Sequence, residues 1–223
     1  MDLINDRLDH YGAGVTFYAY QPDTNQRVYL LGSERWGKDV GTYSDFGGGR
    51  FESIIESAID TAAREAAEET CEIFGDVHDL RMCLWGLDEQ YRKHGVLYPV
   101  IVKPSYDRRR CYVCFFIEVQ YEQIELLNEQ LYRNHRKRMN TTTTGQRNRD
   151  FHEKTRLEWF SDTQLLKLQK AKPNEQVRIR PAYATHVHRF AKLPFNGGGG
   201  ENSKNESHAL SLCARIDQEL LKK

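Results

Sequence analysis

No apolar run in the 223-residue chain approaches the ~18 residues that a membrane-spanning helix needs. The start, MDLINDRLDHYG, is acidic and polar where a secretory signal peptide is basic and then apolar, so an intracellular, reducing, cytoplasmic setting is expected. Cysteine is sparse and odd in number, five in all, which argues against a disulfide framework. Cys111 and Cys114 form a lone CxxC inside CYVCFFIEV, a strand-like run in which residues three apart point to opposite faces. With no second pair to complete a zinc site, they are expected to be core thiols. There is no internal repeat. Nor is there an excess of one charge: Lys plus Arg and Asp plus Glu both number 32, a balance that argues against a dedicated polyanion binder.

What is present is a chain with 39% hydrophobic and 29% charged residues, long enough for one large domain with a real core. The zero net charge conceals an asymmetry. Residues 1–100 carry 9 Lys/Arg against 18 Asp/Glu, and residues 101–223 carry 23 against 14. Much of the basic excess lies in residues 132–156, where Arg133, Arg136, Lys137, Arg138, Arg147, Arg149, Lys154 and Arg156 face only Asp150 and Glu153. Such a stretch is either a solvated surface or a phosphate-binding one.

Residues 13–20 (AGVTFYAY) and 27–31 (RVYLL) predict a hairpin around Pro22, Asp23 and Asn25. A loop then runs into Gly47, Gly48 and Gly49, and residues 54–70 form the strongest helical pattern. A short helix or turn is expected near 77–84, strands at 97–103 and 110–119, a helix over 122–138, a polar loop at 140–149, a strand at 155–160 and a helix over 161–167. Another helix is expected over 181–193, a glycine-rich linker over 195–205 and an amphipathic helix over 206–223. Strands alternating with helices around one core imply an α/β or α+β sandwich.

On a helical wheel Glu65, Glu68, Glu69 and Glu72 fall within an arc of about 100°, while Ile59, Ala62, Ala63, Ala66 and Ala67 occupy the opposing side. The like charges repel, and Arg64 can relieve Glu68 at i+4 but cannot neutralise four carboxylates. An exposed acidic face is one reading and a divalent-cation site the other. The glycines just upstream favour the second, because their carbonyls are hard oxygen donors of the kind Mg²⁺ and Mn²⁺ prefer.

Gly49, Glu56 and the run Arg64-Glu65-Ala66-Ala67-Glu68-Glu69 resemble the Nudix box: a glycine, five residues, a glutamate, seven residues, then Arg-Glu-apolar-any-Glu-Glu-any-Gly-apolar. The spacing from Glu56 to Glu69 matches. Six residues rather than five separate Gly49 from Glu56, Cys71 stands where the family has glycine, and Glu72 where it has an apolar residue. The resemblance implies a Nudix-like α/β/α sandwich with a mixed sheet over residues 1–194, carrying a basic helix and loop insertion at about 122–150.

It also implies metal ligation by Glu65, Glu68 and Glu69 with a carbonyl of Gly48 or Gly49, a structural role for Glu56, and an orienting role for Arg64. A further ligand or general base is expected from the element before the late Trp159 strand. Glu153 is the candidate there, with Glu118, Glu158 and His152 as rivals. The implied reaction is Mg²⁺- or Mn²⁺-dependent hydrolysis of a diphosphate linkage in a nucleoside diphosphate derivative.

The basic stretch, together with 108–110, Arg178 and Arg180, makes capped RNA the preferred specific substrate, with Tyr132 and Phe151 able to stack on bases. Small nucleotides, inositol pyrophosphates and a catalytically silent binding module are the alternatives. No membrane partner is expected, and nothing in the sequence speaks to oligomeric state.

Overall fold

A computed structural model describes residues 10–35, 39–51, 56–94, 100–102, 111–141, 153–168, 178–180 and 183. The predicted features at 108–110, 142–152 and 195–223 lie outside them, including Arg147, Arg149, Phe151 and His152. So does the expected helix over 181–193, except for Tyr183.

The hairpin is β1 (His10–Tyr20) and β2 (Arg27–Glu34), antiparallel with Phe17 opposite Leu30, and Asn25 takes the left-handed turn conformation at φ 51°. Both strands are buried on both faces, as in a central position of a covered sheet. Successive β1 side chains serve two cores. Ala13, Val15 and Phe17 pack on one face, and Tyr18 on the other.

The sheet forks. The second half of β1 pairs with β2, whereas its first half pairs antiparallel with β4 (Phe46–Gly49). The end of β2 turns to β3 (Thr42–Ser44), which continues to β8 (Arg178–Ile179), while β7 (Lys154–Ser161) lies along the other side of β2. On the far side of β1, β6 (Cys111–Glu118) runs parallel to it and is followed by β5 (Val100–Val102).

Helices cover both faces of this mixed sheet. Helices α1 (Ala58–Glu69), α2 (Val77–His94) and α3 (Ile124–Thr141) share one core with Ala13, Val15, Phe17 and Leu157. Leu165 of α4 (Asp162–Leu168) and Tyr183 join Tyr18, Tyr29 and Phe160 in the other. The fold is thus α/β with a mixed sheet between helical layers, as expected. Cys111 and Cys114 are buried thiols with no disulfide, one in each core.

Three readings need correction. Gly47, Gly48 and Gly49 are not a loop but strand β4, with Gly47 opposite Gly14 and Gly49 opposite Gly12. Glycine's low strand propensity hides a strand whose pairing depends on close backbone approach. The helix begins at Ala58, not residue 54, because Ser57 and Asp60 form a reciprocal capping box that fixes its start. Finally, the short element near 77–84 extends as α2 to His94.

Candidate functional site

The alanine face of α1 is fully packed: Ala62, Ala63 and Ala66 are completely buried and Ala67 nearly so. Small side chains let the helix sit close to β1 and β4, and its opposite face carries Glu65 and Glu68 to the glycine strand. The contact with β4 tolerates no side chain. A Cβ on Gly48 would lie 2.5 Å from the carboxyl carbon of Glu65, so only glycine leaves this space for the carboxylate.

Arg64 ties the motif together. Its Nε donates to Glu56 Oε1 at 2.9 Å, Nη1 to Glu65 Oε1 at 2.7 Å and to Glu68 Oε2 at 3.4 Å, and Nη2 to the Gly49 carbonyl at 2.9 Å. The Phe51 ring lies 4.0 Å from the guanidinium carbon, in cation–π contact. Glu56 lies before the helix cap rather than on the wheel, and it also accepts from Thr61 Oγ1 at 3.0 Å and the Phe51 amide at 3.1 Å. These bonds and Arg64 hold its carboxyl below the usual range even though burial opposes them.

Glu65 responds in the opposite sense. Burial pushes its carboxyl up to about 7, with the charges of Glu68 and Glu153 adding to the rise and Arg64 opposing it. Glu69 is deeper, 2% exposed. One of its oxygens accepts the Gly47 amide at 2.8 Å and the other faces the Lys154 ammonium at 3.3 Å.

Lys154, counted with the basic surface stretch in the sequence, is completely buried. It lies opposite Glu34 across β2 and β7, and its ammonium donates to Glu34 Oε1 at 2.6 Å and Ser44 Oγ at 2.7 Å. Burial pulls the ammonium down, but Glu69 and Glu34 outweigh it and hold the group above the ordinary lysine value. The half-exposed Arg180 adds an ion pair to Glu34 at 3.6 Å and one to Asp39 at 3.3 Å. Sequence reasoning passed over Glu34, Ser44 and the burial of Lys154. The available signal was Gly32, an isolated strand glycine: a Cβ there would sit 2.7 Å from the Lys154 stem.

Among the described candidates for the extra acidic role, Glu153 is the one whose charge reaches both Glu65 and Glu69. Glu118 accepts from Tyr18 Oη at 3.1 Å and Glu158 from Tyr43 Oη at 3.0 Å. Within the basic helix, Arg133 pairs with Glu129 and Arg138 with Glu72, while Arg136, Lys137 and Tyr132 are exposed.

The oxygens of Glu65, Glu68 and Gly49 converge on one guanidinium, which marks the spot as suited to a cation, and their hard-donor chemistry fits Mg²⁺ or Mn²⁺. Among the described residues no three His, Cys, Asp or Glu side chains are arranged to hold a metal ion together. The reason is visible: Arg64 draws two of the motif carboxylates, while Lys154 and Gly47 draw the third.

No protein-family model matches the chain. No curated protein matches it significantly. Solved structures do match, among them the NUDIX domain of Shewanella oneidensis NrtR complexed with ADP ribose, with 14% identity, 82% of this chain and 87% of that one covered, and a TM-score of 0.44. The chain is similar to Nudix proteins. A Nudix hydrolase from M. smegmatis, RenU, matches at 15% identity over 85% of this chain and 92% of its own, with a TM-score of 0.43. A C. elegans Ap4A hydrolase matches at 11% identity over 81% and 95%, with a TM-score of 0.42. The chemistry rests on the motif's own geometry.

Proposed function

We propose that the chain is a divalent-metal-dependent Nudix pyrophosphohydrolase acting on a diphosphate linkage in a nucleoside diphosphate derivative. The observation that carries this reading is the convergence of Glu65, Glu68 and the Gly49 carbonyl on Arg64, beside the side-chain-free strand β4. Glu65, Glu68 and Glu69 form the acidic set, with Gly49 supplying a carbonyl. A divalent ion held by these oxygens would supply phosphate charge neutralisation and a more acidic attacking water. Arg64 orients Glu65 through Nη1 and is itself aimed by Glu56. Glu153, partly buried just before β7, takes the proton from water. Phosphoryl transfer asks chiefly for positioning and charge stabilisation, and this site supplies both.

A small nucleoside diphosphate derivative suits the site best. In the basic stretch, Lys154 is buried in the acidic network, and Arg133, Arg138 and Arg156 pair with carboxylates of the chain itself. Capped RNA is the second reading, supported by Arg136 and Lys137, both exposed on α3.

A panel of ADP-ribose, a dinucleoside tetraphosphate, a nucleotide sugar, inositol pyrophosphate, free cap dinucleotide and capped RNA, incubated with Mg²⁺ or Mn²⁺, tests both. Turnover of small nucleotides with a shallow salt dependence is expected. Cleavage of capped RNA with neglect of the free cap dinucleotide, and a steep loss between low and moderate salt, would establish the RNA reading instead. No turnover of any member would leave a binding module.

A further inference from the structure

Within the acidic site, Glu69 is set apart from Glu65 and Glu68. Both of its oxygens are committed inside the protein, one to the Gly47 amide and one to the Lys154 ammonium, and the residue is 2% exposed. The side chains of Glu65 and Glu68 keep 13% and 20% exposure and so remain reachable from solvent.

Lys154 is built into place. Gly32 leaves room for its stem, Ser44 and Glu34 receive its ammonium at 2.7 and 2.6 Å, and Glu69 faces it at 3.3 Å. The Ser44 hydroxyl donates on to Glu34 at 2.6 Å and closes the network. Two buried carboxylates thus share one fixed cation, the arrangement that makes burial of such charges tolerable. A divalent ion bridging Glu34 and Glu69 would have to occupy the space and the charge role of this ammonium.

We propose that the Lys154 ammonium is a resident cation of the acidic site, holding Glu69 and Glu34 in the place of a second divalent ion, so that the chain binds one metal ion through Glu65 and Glu68. This rests on the metal-dependent reading above and deepens it. Glu69 is then a residue that positions β4 against α1 through the Gly47 amide, and Lys154 is a positioning residue for Glu69.

Titration of the full wild-type chain with Mn²⁺, read by the EPR signal of the free ion, counts the sites without reference to turnover. One ion per chain is expected, weakened at least tenfold by Glu65→Gln or Glu68→Gln and changed less than threefold by Glu69→Gln. Two ions per chain, or a tenfold loss of affinity in Glu69→Gln, would overturn the proposal while leaving the metal-dependent reading intact. No Mn²⁺ bound at millimolar concentration would overturn both. The wild-type count decides even where Glu69→Gln does not fold.

Discussion

Glu65 and Lys154 illustrate opposite ways of carrying a charge inside this protein. Glu65 is pushed up to about 7 by burial, so the folded chain holds a proton there that the unfolded chain, with an ordinary carboxylate, has already released. Its contribution to stability is therefore present below the unfolded value near 4.5 and is lost as pH rises towards 7. In chelator, the unfolding midpoint of the wild type is expected to fall from pH 5 to pH 8 more than that of Glu65→Gln, measured by thermal melts. Parallel curves would contradict the burial of that carboxylate. Added Mg²⁺ should stabilise the wild type more at pH 8 than at pH 6, because the ion competes with that proton.

Lys154 is stabilised by two carboxylates, and removing it leaves them without their buried partner. Lys154→Met is expected to cost about 3–5 kcal/mol in urea unfolding, the usual penalty for orphaning a buried ionic partner. A loss below about 1 kcal/mol would place the ammonium at the surface.

At the level of elements, the site is a contact between one helix and one glycine strand. Gly48→Ala would force its Cβ into the Glu65 carboxylate, which lies 2.5 Å from that position. Strand β4 is held to β1 along four residues and α1 is locked by its capping box, so the carboxylate is the part that gives way. Metal affinity in calorimetry should fall at least tenfold at a stability cost of about 1–3 kcal/mol. Unchanged affinity would mean that Glu65 does not need this place.

The helix itself was legible in the sequence, because a carboxylate face and an alanine face at helical spacing allow few other readings. Its start was not, since the capping box of Ser57 and Asp60 begins the helix four residues later than apolar spacing suggests. The glycine strand was hidden because its stability comes from pairing with Gly12 and Gly14 of β1, information that local propensity does not contain. The helix exit departs from the glycine of the Nudix pattern, yet the backbone there still adopts the left-handed conformation, with Cys71 at φ 53° and Glu72 at φ 61°. The Cys71 carbonyl is held by Asn134 at 2.8 Å and Glu72 by Arg138, so α3 supports a turn that glycine would adopt unaided.

Across the whole molecule, the even balance of 32 basic and 32 acidic residues is realised partly by contact between the two halves of the chain. Lys154 enters the acidic site and Arg138 reaches Glu72 just beyond it. The polarity along the sequence was legible, but its spatial meaning was not. Whether a lysine in a basic run faces solvent or a carboxylate depends on which strand lies opposite, here β2 with Glu34.

The central claim is that Glu65 and Glu68 hold the metal that drives hydrolysis of a diphosphate linkage. It is tested most directly by turnover of wild type and Glu68→Gln on the best member of the substrate panel, with Mg²⁺ and with chelator, beside an unfolding curve for each. Activity should require the metal, and Glu68→Gln should be slower by about 100-fold or more, equivalent to a few kcal/mol of barrier, with its unfolding midpoint nearly unchanged. Wild-type turnover by Glu68→Gln at saturating Mg²⁺, or full activity in chelator, would contradict it.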